Sequence, residues 1–422
     1  MMRTLEGKKL LVLGSSPLLA GIVKEAQKLG VFVIVTDYNK YENAPAKHIA
    51  NKYYDISLSD IDLIVKCIKE EKIDGVLTGY TDSYLKYYYE ICQKAGLPCY
   101  GDLKQFDIAT DKVLFKKMCM DAGVPVIPGT TVLNLDDAKK TALKIGYPLM
   151  FKPADNSGSR GVIKCNDENQ LENCFNYALS FSPSSQVICE KYLDCENIGS
   201  AYQLDNGEIF LNSVSDRHVY KSEESGSSVT KDLVYPSIYT KRYIEEVNEK
   251  VINMLKANGF KHGMLSFQAF VDDNSFYFCE MCYRPSGGHH YMIVNDQNGV
   301  NSLDLLIEFA VNGKIDYSGV NENPYFKETC AMIKLMGESG KVISKIDLSP
   351  LNSGKGLISY QSHKIVGNEI GKDGTTAQCL AAIWIKASDR DSLKKNIDET
   401  ISKVVISDDK GNNLIKNIKY LV

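Results

Sequence analysis

No stretch of the 422-residue chain approaches the run of about 20 apolar residues that spans a bilayer. The N-terminal segment MMRTLEGKKLLVLGSS has a short apolar run, which Gly14-Ser15-Ser16 closes as a turn. No small-residue cleavage site follows, so the segment reads as a first β-strand rather than a signal peptide. The lysines are dispersed, no basic stripe with interleaved aromatics is present, and the net charge is -4. This gives no electrostatic reason to expect nucleic acid or a membrane as partner. There is no internal repeat and no low-complexity tract. The twelve cysteines are scattered through apolar segments. They read as reduced thiols of a cytoplasmic protein. Cys279 and Cys282 form a C-x-x-C, but in FYFCEMCYR they lie on a strand, facing opposite ways. No second C-x-x-C completes a zinc site.

The composition, 44% hydrophobic and 24% charged, is that of a soluble globular protein. The length points to two or three domains. KLLVLG (9–14) reads as a buried strand followed by a helix through Lys28. VFVIVTDYN ends a second strand at Asp37. DGVLTGYTD (74–82) is a strand and loop before a helix through Ala95. This alternation predicts a doubly wound parallel sheet in residues 1–105. Its first loop, GSSPLLAG, lacks the G-x-G-x-x-G spacing of a dinucleotide site. Residues 106–317 form a second unit with a small lobe at about 125–195, and 318–422 read as a third, α+β unit. The stretch from Asp216 to Ser237 is polar with little periodicity, and its length predicts a functional loop.

Several residues could carry chemistry. Lys152 ends a strand, and Asn156-Ser157-Gly158-Ser159-Arg160-Gly161 follows it. A Gly/Ser loop can lay backbone N–H groups on phosphate oxygens, and a lysine can neutralise them. Glu190-Lys191-Tyr192-Leu193 ends another strand, with Glu196 beyond it. A strand edge there can meet an adenine, and a carboxylate can take ribose hydroxyls. Gln268 and Glu280 lie on the two strands of a hairpin that turns at Asp272-Asp273-Asn274. Oxygen-bearing side chains on adjacent strands can converge on a hard cation. Arg284 follows, where it could stabilise a phosphoryl group in transfer. Ser286-Gly287-Gly288 lets backbone approach a ligand closely. His289 and His290 then face either an acceptor or the core. Each piece alone also fits a turn or a surface pair, and their order is what discriminates.

In that order the pieces resemble the ATP-grasp superfamily. DKVLFKKMCMDAGVPVIPG is similar to its Asp-Lys helix, GYPLMFKPADNSGSRGV to its phosphate loop, EKYLDCE to its adenine hinge and CEMCYRPSGG to its E-x-N-x-R-x-x-G segment. The resemblance implies an ATP-grasp fold of α/β and α+β type. It would carry a Rossmann-like pre-ATP-grasp domain at the N-terminus and an α+β domain at the C-terminus. It also implies ATP and Mg²⁺ (or Mn²⁺) as cofactors. Lys112, Lys152 and the loop Ser157, Gly158, Ser159 and Gly161 would hold phosphates. Glu190, Lys191, Leu193, Glu196 and Phe270 would hold adenosine. Glu280 and Gln268 would bind the metal. Arg284 and Lys231 would act on the transferred phosphoryl group, and Ser286, Gly287, Gly288 and His289 would meet substrate. Gln268 stands where the family usually has Glu, and Cys282 where it usually has Asn. The implied activity is ATP-dependent ligation of a small carboxylate to an amine or thiol through an acyl phosphate. Amino-acid or peptide-type ligases stand first, and purine-pathway or biotin-carboxylase-like enzymes next. The rival of another class is a nucleotide-binding regulator that has lost catalysis. Expected partners are small-molecule carboxylates and amines, with a homodimer as the assembly to look for.

Overall fold

Apolar runs bounded by turns build the N-terminal sheet. In a computed structural model that describes residues 4–155, 160–222, 228–317 and 322–420, four short strands form it: β1 (Lys9–Leu13), β2 (Phe32–Thr36), β3 (Lys52–Tyr54) and β4 (Gly75–Leu77). They lie side by side in the order β3-β2-β1-β4, all parallel. The central strand is buried along nearly its whole length because helices cover both faces. The doubly wound expectation is what forms.

A second, four-stranded sheet follows: β5 (Gly129–Val132), β6 (Leu149–Pro153), β7 (Ile163–Cys165) and β8 (Val187–Lys191). Its order is β5-β8-β6-β7 and every pairing is antiparallel. The helices Leu135–Ile145 and Glu168–Leu179 pack on it around their own small core, which includes Leu149, Phe151 and Phe175. Gly129 pairs with Glu190, and a Cβ at Gly129 would stand 2.5 Å from the Cys189 carbonyl oxygen. Only glycine allows this approach.

The largest sheet has eight strands. It contains β9 (Glu196–Asp205), β10 (Glu208–Lys221), β11 (Ser228–Tyr235), β12 (Gly263–Val271), β13 (Phe276–Cys282) and β14 (Thr329–Met336), and then, beyond the short β15 (Lys345–Asp347), β16 (Leu357–Ser362) and β17 (Cys379–Ala387). The order is β13-β12-β9-β10-β11-β14-β17-β16. β15 pairs separately with β18 (Val405–Ser407). One expectation is corrected here. The polar stretch expected as a loop from Asp216 is the β10–β11 hairpin, of which only residues 223–227 lie outside the described residues. Its polar face floors a cavity, so the apolar alternation that normally marks a strand is missing. The strands of the C-terminal α+β unit mostly join this large sheet. β14, β16 and β17 continue the sheet that β9–β13 begin.

Candidate active site

The site lies between the four-stranded sheet and the face of the eight-stranded one. Asp111 caps the helix Lys112–Asp121, its carboxylate accepting from the N–H groups of Val113 and Leu114. The cap fixes Lys112 in the first turn, at the edge of a cavity of about 770 Å³ also lined by Asp82, Asp155, Arg160 and Glu280. One turn on, Lys116 points to the adjoining cleft. Lys152, on β6, donates to a carboxylate oxygen of Glu190 on β8, and the Lys116 ammonium lies 3.7 Å from the other oxygen. One buried carboxylate is thus flanked by two ammonium groups. Burial works to lower the Lys152 pKa, yet Glu190 more than offsets it and the net shift is upward. Lys116 and Lys112 are both shifted downward by burial, opposed by Glu190 and Glu280 respectively. The Lys116 ammonium has no hydrogen-bond partner among the described residues.

The Lys191 N–H is donated to the Pro128 carbonyl at 2.8 Å. The Lys191 ammonium turns away to the carbonyls of Gly146 and Tyr147. Leu193 is half-buried beyond it, and Glu196 is exposed at the start of β9. Phe270 is half-buried on β12. Gln268 and Glu280 are direct cross-strand partners, and a bulge follows at Cys279. Cys282, two residues past Glu280, has its thiol pushed up to about 12 by burial. It stays protonated near neutrality and is no ligand for a hard cation. All twelve cysteines are free thiols.

Arg284 is gripped from the N-terminal domain. Its Nε and Nη2 donate to the two Asp82 oxygens at 2.6 and 2.8 Å. Burial opposes the guanidinium charge, but Cys282 and Asp82 raise its pKa further. With the Cys282 thiol neutral, Asp82 supplies the counter-charge.

A second cavity, of about 100 Å³, opens on the face of the eight-stranded sheet. Arg217 (β10), Gln268, Cys282 and Lys334 (β14) reach it, and Ser286, Gly288 and His290 line it from the segment after β13. Trp384, on β17, steadies that segment by donating to the Gly288 carbonyl at 3.1 Å.

Some predicted residues lie outside the described residues, and others are placed elsewhere. Ser157, Gly158 and Ser159 lie outside the described residues. Gly161 is described, with φ +75°. Lys231 is corrected: His218 pairs with Asp232 and Val219 with Thr230, which leaves Lys231 as the extra residue of a β-bulge. A bulge re-aims side chains. The Lys231 ammonium goes to the Lys419 carbonyl at 2.5 Å, and Thr230 lines the cavity instead. His289 is likewise corrected. Its ring is fully buried, stacked on Tyr80 at 4.8 Å and close to Trp384. Its neighbour His290 lines the cavity. Arg217, Lys334, Lys116 and Asp82 were missed. Lys334 alone left a trace, as a lone cation inside the apolar strand CAMIKLM.

Residues 111–291 match the family model described as the ATP-binding domain of the carbamoyl-phosphate synthase L chain. Those residues are thus similar to the ATP-binding domain of ATP-grasp, ATP-dependent ligases. The formate-dependent phosphoribosylglycinamide formyltransferase of Sulfurisphaera tokodaii is 28% identical over 296 residues, covering 66% of this chain and 70% of that one. Two solved structures share the ATP-grasp fold. The biotin carboxylase domain of Hydrogenobacter thermophilus 2-oxoglutarate carboxylase superposes with TM-score 0.80 at 21% identity, over 95% of this chain and 90% of the other. The L-amino acid ligase of Bacillus licheniformis gives 0.78 at 17% identity, over 96% and 100%.

Proposed function

We propose that this ATP-grasp enzyme activates a small carboxylate as an acyl phosphate and passes the acyl group to an amine. The observation that carries the reading is a cavity lined by Lys112 and Glu280, within electrostatic reach of Lys152 and Arg284, beside a separate cationic cavity. ATP would lie with its base at the end of β8. The Lys191 N–H is already used, so the base edge would meet the Lys191 carbonyl and the Leu193 N–H, with Phe270 beneath the ring and Glu196 at the ribose. Lys112 and Lys152 would neutralise the phosphates. Glu280 and Gln268 present adjacent oxygen donors, which fits a hard divalent cation whose remaining ligands are phosphate oxygens and water. Such an ion, when bound, supplies charge neutralisation on the polyphosphate.

The chain's own residues do the positioning. A carboxylate oxygen held beside Arg217 attacks the γ-phosphorus, the bond to the ADP oxygen breaks, and ADP leaves. Arg284, held rigidly by Asp82, faces the charge that develops. The amine nitrogen then attacks the acyl carbon, the carbon–oxygen bond to phosphate breaks, and the nitrogen loses its proton to water. Gly288 and the Trp384-anchored segment narrow the access of water to the intermediate.

Incubation with ATP, Mg²⁺, hydroxylamine and a panel of small carboxylates tests this. Hydroxamate and ADP should form together for at least one acid, and Glu280→Gln should lower that rate by about 10²-fold or more. The neutral Cys282 favours one rival, a nucleotide-binding regulator. ATP binding with no hydroxamate from any acid would establish it instead.

A further inference from the structure

The sheet-face cavity has an unusual balance of charge. Two cations line it, Arg217 from β10 and Lys334 from β14, and no carboxylate does. Among the described residues neither cation has an ion pair or a side-chain hydrogen bond. The carboxylates nearby are engaged or face elsewhere. Asp216 accepts from Ser237 and Arg390, and Asp232 is paired with His218. Glu280 opens on the larger cavity. The rest of the lining is hydroxyls, the Gln268 amide, the Cys282 thiol and a few apolar walls such as Met332. His290 adds a buried Nε2 with no partner.

Unpaired cations in a half-buried cavity are costly, and an anion that enters relieves that cost. A guanidinium is suited to take a carboxylate with two N–H groups. An ammonium group in the same space would meet two like charges, and the nearest carboxylate acting on Arg217, Glu280, opens on the larger cavity instead. The floor is built of small residues, Gly199, Ser200, Ala201, Ser213 and Ser215. A cavity of about 100 Å³ is smaller than the roughly 150 Å³ site that encloses the six heavy atoms of benzene, which favours a small ligand over a large one.

Resting on the acyl-phosphate reading above, we infer that the acid activated by this enzyme is a small carboxylic acid without an amino group, held between Arg217 and Lys334. In the order of the sheet, Arg217 on β10 stands nearer to Glu280 on β13 than Lys334 on β14 does, and Glu280 is the largest charge acting on Arg217. The reacting carboxylate therefore sits at Arg217, on the side of the phosphates. The far end of the acid, a hydroxyl, keto or second acidic group, sits at Lys334 and His290. The amino-acid donor that the family resemblance ranked first is displaced by this charge pattern.

The test is calorimetric binding to the enzyme loaded with ADP and Mg²⁺, using acids matched in skeleton: glycolate against glycine, and lactate and pyruvate against alanine. At least one unaminated acid should bind, at least tenfold more tightly than its amino partner. Arg217→Met and Lys334→Met should each weaken it tenfold or more, with ADP affinity as the control for folding. Equal or tighter binding of the amino acid in any pair overturns the inference, as does the absence of acid binding by an enzyme that binds ADP. The ligase reading fails separately, through the absence of ATP-dependent hydroxamate. Hydroxamate formed from amino acids alone would leave it standing and sink the acid class.

Discussion

Glu190 faces two ammonium groups, and this sets the character of the cleft. A buried carboxylate with one lysine would be a closed pair. With Lys152 hydrogen-bonded and Lys116 at 3.7 Å, Lys152 can turn to a phosphate while Glu190 keeps a counter-charge. The three buried histidines behave differently. Burial pushes His289 down to about 3 and His290 and His363 down to about 4. Each ring is therefore neutral when folded, while in the unfolded chain it takes a proton near pH 6.5. The unfolded state binds more protons between these values, so stability is intact above about pH 6.5 and falls as pH drops toward 4. Each ring contributes up to about 1.4 kcal/mol per pH unit in that window. Thermal unfolding at pH 7.0 and pH 5.5 should show a lower Tm at the lower pH, with a smaller drop for His363→Gln. An equal drop in the variant would show that His363 is protonated without cost.

At the scale of elements, a single extra residue decides which side chain of β11 reaches the site. Without the bulge, Lys231 would share a row with Lys334 and crowd the cavity with a third cation. With it, Lys231 ties β11 to the C-terminal tail at Lys419. Lys231→Met should therefore keep kcat/KM within about twofold and lower Tm by a few degrees, since a buried hydrogen bond to a charged group contributes about 1.5–3 kcal/mol. A loss of activity larger than tenfold at unchanged Tm would return Lys231 to the catalytic machinery. The bulge cannot be read from residue types, because Thr230, Lys231 and Asp232 are all polar and either face could be the wet one. By contrast, the helix opened by Asp111 and the hairpin turning at Asp272 were legible, since caps and turns depend on local chemistry.

At the scale of the whole molecule, one sheet crosses what the sequence divides into two units. β14 pairs with β11 and β17 with β14, so that Lys334 and Met332 line the cavity and Trp384 holds the Gly288 carbonyl. Gln361 also donates to the Pro17 carbonyl in the first loop. A chain ending at residue 317 should lose both the cation and the cover of an apolar edge strand, and should aggregate or fail to bind acid. A monomeric, folded truncation that retains acid affinity would show the C-terminal strands to be dispensable. The sequence by itself determined the order of the motifs, because those lie within short segments whose spacing local geometry preserves. Only the tertiary structure decided that Asp82 holds Arg284, that His290 rather than His289 lines the cavity, and that Arg217 and Lys334 face each other without a carboxylate. These pairs are separated by tens to hundreds of positions, and no local propensity encodes which distant strands a sheet will place side by side.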